Sequence, residues 1–188
     1  MNVMEKIAIF EVIERMSALI RSEERKKCTE LGLQPVHFQV LDYLSRCNRF
    51  SDSPAALTNY LGMTRGTVSQ TLQLLEKKGY IKKKTDSNDR RMVHLSLLEE
   101  GEAVLSEARS TEFFRQASTF LNEDTTDTEK VFSDTLVALQ KAHKFQTFGL
   151  CKTCKYFTRQ SDGFFCGLTQ EKLSQKDSEK ICQEHTVN

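Results

Sequence analysis

Two short helical segments joined at one glycine constrain the fold of this 188-residue chain more than any other feature. Ser53 is placed to cap the first segment, and Gly62 permits the left-handed turn that ends it. Thr64 is placed to cap the second segment, which runs as far as Gly79. A helix, a tight glycine turn and a second helix predict a helix-turn-helix unit over residues of about 53–79.

The segment after this unit predicts a β-hairpin of about residues 80–97, which we call the wing. Residues 80–84 form its first strand, and the polar cluster 85–89 forms its turn. Residues 92–97 form the returning strand, because apolar side chains alternate there with polar ones such as His94, which is expected to face outward.

Apolar residues that recur at three- to four-residue steps predict further helices before and after this unit. The longest stripes lie at the two ends of the predicted domain, and they exceed what one small monomer can bury. A second copy of the chain is therefore expected to cover them. The predicted helices span residues 3–27, 34–47, 99–121 and 126–148.

Four segments together resemble the MarR family of winged-helix transcription regulators. They are LTNYLGMTRGTVSQTLQLLEKKG (57–79), the strand 80–84, DRR (89–91) and LSLLEEG (95–101). By helix order the resemblance covers residues of about 5–145. The chain departs from the family at Leu98, where a helix-capping threonine or a similar polar residue is common, and this affects only the start of the helix that follows.

The resemblance implies a mainly α fold with a small β wing, in which the N-terminal helix and the last two helices interlock into a homodimer. It implies a sequence-specific regulator that binds a pseudo-palindromic operator in double-stranded DNA, with repression as the more common mode. The chain divides into a winged-helix domain of residues 1–148 and a cysteine-rich tail of residues 149–188. The sequence names no effector, operator or regulated gene.

The second helix of the helix-turn-helix unit is the expected recognition helix, with its N-terminal residues at base edges in the major groove. Gln70 suits an adenine edge and Arg65 a guanine or a phosphate, whereas hydroxyls suit phosphates or thymine. For each residue singly, an ordinary solvated side chain is an equal alternative. The residues expected to face outward are Thr64, Arg65, Thr67, Ser69, Gln70 and Thr71.

The wing adds positive charge. Lys82 and Lys84 are expected to neutralise phosphates. The family motif implies that Arg91 enters the narrow minor groove and that Arg90 takes a phosphate, while Asp89 is expected to hold the Arg91 guanidinium.

The uneven distribution of charge along the chain also supports a DNA-binding face formed by the helix-turn-helix unit and the wing. The chain carries only +1 overall, but residues 64–94 hold eight Lys or Arg against three acids, and residues 99–134 hold ten acids against three bases. A basic block beside an acidic one indicates a polyanion-binding face on an acidic body, although two differing solvated faces would give the same count.

The tail concentrates four of the six cysteines, in the spacing Cys151-x2-Cys154-x11-Cys166-x15-Cys182. We find no secretion signal, and disulfides rarely persist in a reducing cytosol. These clustered cysteines are therefore expected to be metal ligands and not disulfide partners. A four-thiolate zinc site is the first choice. An iron–sulfur cluster is the rival, since CKTCKYF (151–157) weakly resembles the cluster-binding segment of high-potential iron–sulfur proteins. His185 is an alternative ligand.

Two functions other than DNA binding are a metal or redox sensor and an enzyme. A metal or redox sensor that works through a protein partner needs the tail but not Arg65 or Arg91. An enzyme is not expected, because neither Cys28 nor Cys47 lies in a nucleophile motif and both suit small core positions. The chain has no apolar run of membrane-spanning length, so a cytoplasmic protein without a membrane partner is expected.

Overall fold

The computed structural model describes residues 3–87, 89–109, 112–121, 126–143, 148–161 and 163–187. Its helices are α1 (Val3–Glu30), α2 (Pro35–Arg46), α3 (Pro54–Leu61), α4 (Arg65–Lys77), α5 (Glu99–Arg109), α6 (Glu112–Thr119), α7 (Thr126–His143) and α8 (Gln175–Ser178). Its strands are β1 (Ile81–Thr85), β2 (Val93–Leu97), β3 (Gly149–Leu150), β4 (Phe157–Gln160), β5 (Gly163–Cys166), β6 (Glu171–Leu173) and β7 (Ile181–Cys182), and a 3-10 turn spans Cys151–Thr153. Within the described ranges, no helix combines the length and apolarity that a membrane crossing needs.

The predicted helix-turn-helix unit is present as α3 and α4. Ser53 caps α3 by accepting a hydrogen bond from the backbone NH of Ala56 at 3.2 Å. Gly62 ends α3 with a left-handed φ of 63°, a conformation that glycine adopts without the strain of a side chain. Thr64 then caps α4 through the backbone NH of Thr67, also at 3.2 Å. The turn chemistry expected from the sequence is therefore confirmed.

The ends of the first two helices differ from the prediction. α1 continues to Glu30 before Gly32 turns the chain with a φ of 64°. α2 begins at Pro35 and ends at Arg46, one residue inside the predicted bounds at each end, because the fixed φ of proline suits the first helical position. The backbone NH of Gln34, just before the helix, donates to Nδ1 of His37 at 3.1 Å.

Of the later predicted helices, residues 120, 121 and 148 are described and are not helical. The expected helix 99–121 is present as α5 and α6, with residues 110–111 outside the described ranges. α7 ends at His143, residues 144–147 lie outside the description, and Phe148 is not helical. Phe148 instead packs on Tyr60, with ring centroids 5.1 Å apart, and turns the chain into the tail.

One core joins α1–α5 to the wing. Burying one large aliphatic side chain contributes about 1.5–3 kcal/mol, so this cluster is the main source of stability of the winged-helix part. Its fully buried members with the largest side chains are Tyr43, Leu41, Leu57, Leu75, Ile81, Val40 and Val68.

The wing is anchored where it meets α5. β1 and β2 pair antiparallel, with Ile81 opposite Leu97, and the backbone NH of Leu98 donates to the carbonyl of Tyr80 at 3.0 Å. A Cβ atom on Gly101 would lie 2.1 Å from that same carbonyl oxygen, so only glycine fits this crossing. The glycine that closes the LSLLEEG segment thus has a packing role.

The cysteine-rich tail forms small antiparallel sheets and packs directly on the winged-helix part. β4, β5 and β6 form one sheet, and β3 pairs with β7. Ile181 of β7 joins the winged-helix core, and its carbonyl accepts the backbone NH of Asn48 at 2.9 Å. The sequence boundary near residue 149 therefore separates two segments that share packing.

Large apolar side chains remain exposed on the helices at the two ends of the winged-helix part. α6 has no buried residue. The most exposed members of these faces are Val12, Leu19, Phe120, Leu121, Val131 and Leu136.

Candidate nucleic-acid interface and cysteine cavity

The N-terminal turn of α4 presents the side chains expected to contact bases. Arg65, Thr67, Ser69 and Gln70 are exposed, as the sequence predicts. The hydroxyls of Thr64 and Thr67 lie 2.9 Å apart, so one of their two protons is used in this pair and the cap fixes both side chains.

Thr71 corrects the prediction for this helix. It is only 7% exposed, and its hydroxyl donates to the carbonyl of Thr67 at 2.9 Å. Val68 lies three residues before it and Leu75 four residues after it, and both are buried, so Thr71 lies on the inner side of α4. Thr71 is therefore a packing residue rather than a base-reading one.

The lysines of β1 divide into two groups. Lys82 and Lys84 are exposed, as expected of phosphate contacts. Lys83, between them, pairs with Glu76 of α4 at 2.8 Å and ties the strand to the recognition helix. The strand alternation thus leaves two cations on the outer face of the wing.

The tip of the wing is ordered by two aspartates. The backbone NH of Asp89 donates to Oδ1 of Asp86 at 2.8 Å. Oδ1 of Asp89 in turn accepts the backbone NH of Arg91 at 2.9 Å. The sequence predicted that Asp89 holds the guanidinium of Arg91, whereas the structure shows it holding the main chain. Arg90 and Arg91 are both exposed at this tip.

This combination of the capped helix α4 and a basic hairpin has known counterparts. Residues 31–92 match the sequence profile of the MarR family. The chain is 28% identical over 103 residues to the transcriptional repressor MprA of Escherichia coli. That match covers 55% of this chain and 58% of MprA, so the chain spans less than two thirds of this relative's length.

Solved structures agree on the architecture. A MarR family protein from Bacillus stearothermophilus superposes with a TM-score of 0.57 at 19% identity, covering 76% of this chain and 98% of that chain. A mutant of Escherichia coli MarR complexed with operator DNA superposes with a TM-score of 0.52 at 18% identity, covering 72% of this chain and 99% of that chain. The chain has the MarR winged-helix fold.

Within this MarR fold, a histidine that the sequence placed outward joins two elements. His94 of β2 lies 2.7 Å from Oδ1 of Asp52 and 3.3 Å from Oδ2 of Asp86. The hydrogen bond that His94 donates to Asp52 is the main reason that the pKa of His94 is raised above its usual value. Burial raises the pKa of Asp52, and His94 opposes that rise. Alternation alone could not reveal this contact, because Asp52 is 42 residues away.

Beyond the MarR-like part, the four tail cysteines line one cavity. Gly149 pairs with Cys182 across β3 and β7, and Phe157 pairs with Cys166 across β4 and β5. Strand register therefore brings the cysteine pair of the 3-10 turn beside the two later cysteines. The cavity, of about 10 Å³, is lined by Asn48, Phe50, Cys151, Cys154, Tyr156, Phe157, Cys166, Leu168, Thr169, Leu173, Cys182 and Glu184.

The electrostatics of the cavity reflect this proximity. Burial, followed by the nearby Cys182, Cys166 and Cys154, raises the pKa of Cys151 to about 12. Burial also raises the pKa of Cys182, against the lowering effect of the neighbouring Asn48 side chain. Unligated, these buried thiols hold their protons at neutral pH.

Neither a single-ion site nor a histidine ligand is formed in the described ranges. No three His, Cys, Asp or Glu side chains there are arranged to hold one metal ion. His185 is buried outside the cavity lining, with Nε2 2.9 Å from the hydroxyl of Thr153. A Cβ on Gly149 would lie 2.6 Å from Nδ1 of His185, so the ring fills the space over this glycine. The cavity lining thus supplies four cysteine sulfurs, together with the carboxylate of Glu184.

The two remaining cysteines are core residues. Cys28 is 1% exposed and Cys47 is 3% exposed. Burial raises the pKa of Cys28, and it raises the pKa of Cys47 to about 12. Reactive cysteines have accessible, stabilised thiolates, so both fit the packing role that the sequence favoured.

Proposed function

We propose that this chain is a DNA-binding transcriptional regulator. The observation that carries the proposal is the pairing of α4, with Arg65, Ser69 and Gln70 exposed, and a wing tip that presents Arg90 and Arg91. α4 enters the major groove, where Gln70 and Arg65 meet base edges. Arg91 enters the adjacent minor groove, and Lys82 and Lys84 neutralise phosphates.

The active form is a homodimer. The exposed apolar faces of α1, α6 and α7 exceed what a monomeric surface normally carries, and a second copy of the chain covers them. A two-fold dimer presents two recognition helices about 34–36 Å apart, so its operator is pseudo-palindromic.

The direction of regulation is repression, and the protein acts in the cytoplasm. Repression is supported by the curated relative, which is named a transcriptional repressor. The tail contributes a metal centre. It acts together with the DNA-binding part and not as a separate module, because it packs against the loop that precedes α3. A sensor that acts only through a protein partner would not need this contact.

Selection of DNA by the full chain tests the proposal. Purified dimer, identified by sedimentation, is mixed with a pool of random-sequence duplexes, and the bound fraction is sequenced after several rounds. We expect enrichment of one pseudo-palindromic sequence with half-sites about ten base pairs apart. A monomer that enriches no sequence at low salt contradicts the proposal.

A further inference from the structure

The cavity lined by Cys151, Cys154, Cys166 and Cys182 is a built site rather than a chance cluster. Cys151 begins the 3-10 turn, Cys154 directly follows it, and Cys166 and Cys182 end β5 and β7; two separate strand pairings bring these segments together. We propose that these four thiolates ligate an iron–sulfur cluster, and that its occupancy controls the DNA-binding unit.

A buried polar group is the independent sign of a ligand. Asn48 is 1% exposed and lines the cavity, where its side-chain Nδ2 meets no nitrogen or oxygen acceptor and is directed at the sulfur of Cys182, whose pKa it lowers. Its Oδ1 is fixed by the backbone NH of Phe50 at 3.1 Å and by the Ser51 hydroxyl at 2.8 Å, which determines where Nδ2 points. A protonated thiol is a weak acceptor for this buried N–H, and the thiolate that Cys182 becomes when it binds iron is a stronger one.

A second donor already reaches one of the sulfurs. The backbone NH of Thr186 lies 3.4 Å from Sγ of Cys154. N–H donors directed at sulfur stabilise thiolates and tune the centres they bind. The Thr169 hydroxyl, also in the cavity wall, is likewise buried without a partner.

The spacing of the thiols favours a cluster over one zinc ion. Four sulfurs bound at 2.3 Å to a tetrahedral zinc lie about 3.8 Å from one another. Among the described residues no group of three ligands forms a single-ion site, and the four cysteines line a common void. A cluster of iron and inorganic sulfide spreads its four cysteine ligands apart, and each thiol releases one proton when it binds iron. The walls of Phe50, Phe157 and Leu173 shield such a cluster from water.

The cavity is connected to the DNA-binding unit through the loop between α2 and α3, residues 47–53. On the tail side, the backbone NH of Gln183 donates to the Ser51 hydroxyl at 2.8 Å, and its side chain donates to the carbonyl of Phe50 at 2.8 Å. On the other side, the carbonyl of Asp52 accepts the backbone NH of Leu95 in the wing at 2.7 Å. Ligation at Cys182 therefore orders a loop that positions both α3 and the wing. This coupling rests on the proposed function, whereas the cluster itself does not.

The cluster is tested on the full chain purified without oxygen. Iron, acid-labile sulfide and zinc are measured together with the visible absorption spectrum. We expect iron and sulfide in equal amounts and a brown protein. Zinc as the bound metal, or wild-type protein with neither iron nor sulfide after reconstitution with both, overturns the assignment.

Two variants with a matched control locate the ligands. Cys154→Ser and Cys166→Ser change half-buried residues, so the winged-helix part is expected to keep its circular dichroism while cluster content falls at least several-fold. Cys28→Ala, in the core away from the cavity, retains the cluster. Full cluster content in both cavity variants overturns the ligand set.

The coupling is tested by comparing cluster-loaded and chelator-stripped protein on the DNA selected above. We expect the loaded form to bind at least about five-fold more tightly, the lower range of measured allosteric couplings. Equal affinity overturns the coupling and leaves the cluster standing. A cluster-bound protein that binds no DNA contradicts the proposed function instead.

Discussion

Nδ1 of His94 lies 2.7 Å from Oδ1 of Asp52, which joins the returning strand of the wing to the loop that leads into α3. The other ring nitrogen lies 3.3 Å from Asp86, at the start of the wing tip. The backbone NH of Leu95 donates to the carbonyl of Asp52 at 2.7 Å and strengthens the same connection. The position of Arg91 relative to α4 therefore depends on this contact.

The His94–Asp52 contact predicts a pH-dependent stability. The pKa of His94 is raised, chiefly by its hydrogen bond to Asp52, so the folded protein holds this proton more tightly than the unfolded chain. The contribution is complete below the unfolded value of about 6.5 and is lost as the pH rises through the folded value. We expect His94→Gln to cost about 1 kcal/mol near pH 6, and clearly less near pH 8.5.

Urea unfolding of wild type and His94→Gln at both pH values measures this difference. Burial raises the pKa of Asp52 and His94 lowers it, so Asp52→Asn, which removes the same contact from the other side, is measured alongside. A stability difference that stays constant or grows with pH contradicts the assignment.

The wing arginine predicts a loss of affinity without a loss of stability. Arg91 is exposed, and its backbone rather than its guanidinium is held by Asp89. We expect Arg91→Ala to keep the melting temperature and to weaken operator binding about ten-fold or more, since one good contact contributes about 1–3 kcal/mol. Fluorescence anisotropy titrations measure the affinity, with Arg25→Ala on the exposed surface of α1 as the charge-matched control. Equal affinities for the two variants remove the wing from the mechanism.

Substitutions of two neighbouring residues on α4 distinguish a base-contacting side chain from a packing side chain. Gln70 is exposed, whereas Thr71 is buried and donates to the carbonyl of Thr67. We expect Gln70→Ala to lower discrimination between operator and mismatched duplexes about ten-fold, because it removes an amide suited to an adenine edge. Thr71→Val keeps the shape of the side chain and should leave that discrimination unchanged. A larger loss from Thr71→Val would reverse the two roles.

Gly101 predicts a localised steric cost. Its added Cβ would lie 2.1 Å from the carbonyl oxygen of Tyr80, so Gly101→Ala forces α5 away from the wing. We expect a loss of about 2 kcal/mol or more in the free energy of unfolding. Gly66→Ala is the control, because the nearest atom to its Cβ is 3.8 Å away and alanine favours the helix by about 0.5–1 kcal/mol. Equal unfolding midpoints for the two variants contradict this explanation.

The parts of the fold that local chemistry determines could be predicted from the sequence. Ser53, Gly62 and Thr64 each act on neighbours within three residues, so their caps and turn follow from residue type alone. The burial of Thr71 could not be predicted in this way. Thr71 lies at the boundary between the exposed and the buried face of α4, and only the packing of neighbouring elements decides whether a residue there is covered. The contact between His94 and Asp52 spans 42 residues, and alternation along one strand carries no information about it.

In the cysteine cavity, too, the local features could be predicted from the sequence and the long-range contacts could not. Spacing indicated that Cys151 and Cys154 act together, because a short turn joins them. It did not reveal Asn48, which reaches the cavity from the winged-helix part and directs its side-chain Nδ2 at Cys182. It also left His185 as an alternative ligand, and only the packing of that ring over Gly149 places it outside the cavity lining.

The most direct measurement of the central claim is a chemical footprint of the protein on its selected operator. Protection of guanine N7 reports the major groove, and hydroxyl-radical cleavage reports the minor groove. The proposed geometry predicts two protected major-groove faces one helical turn apart, each flanked by a minor-groove protection that disappears in Arg91→Ala. Protection of a single face, or minor-groove protection unchanged in that variant, would contradict it.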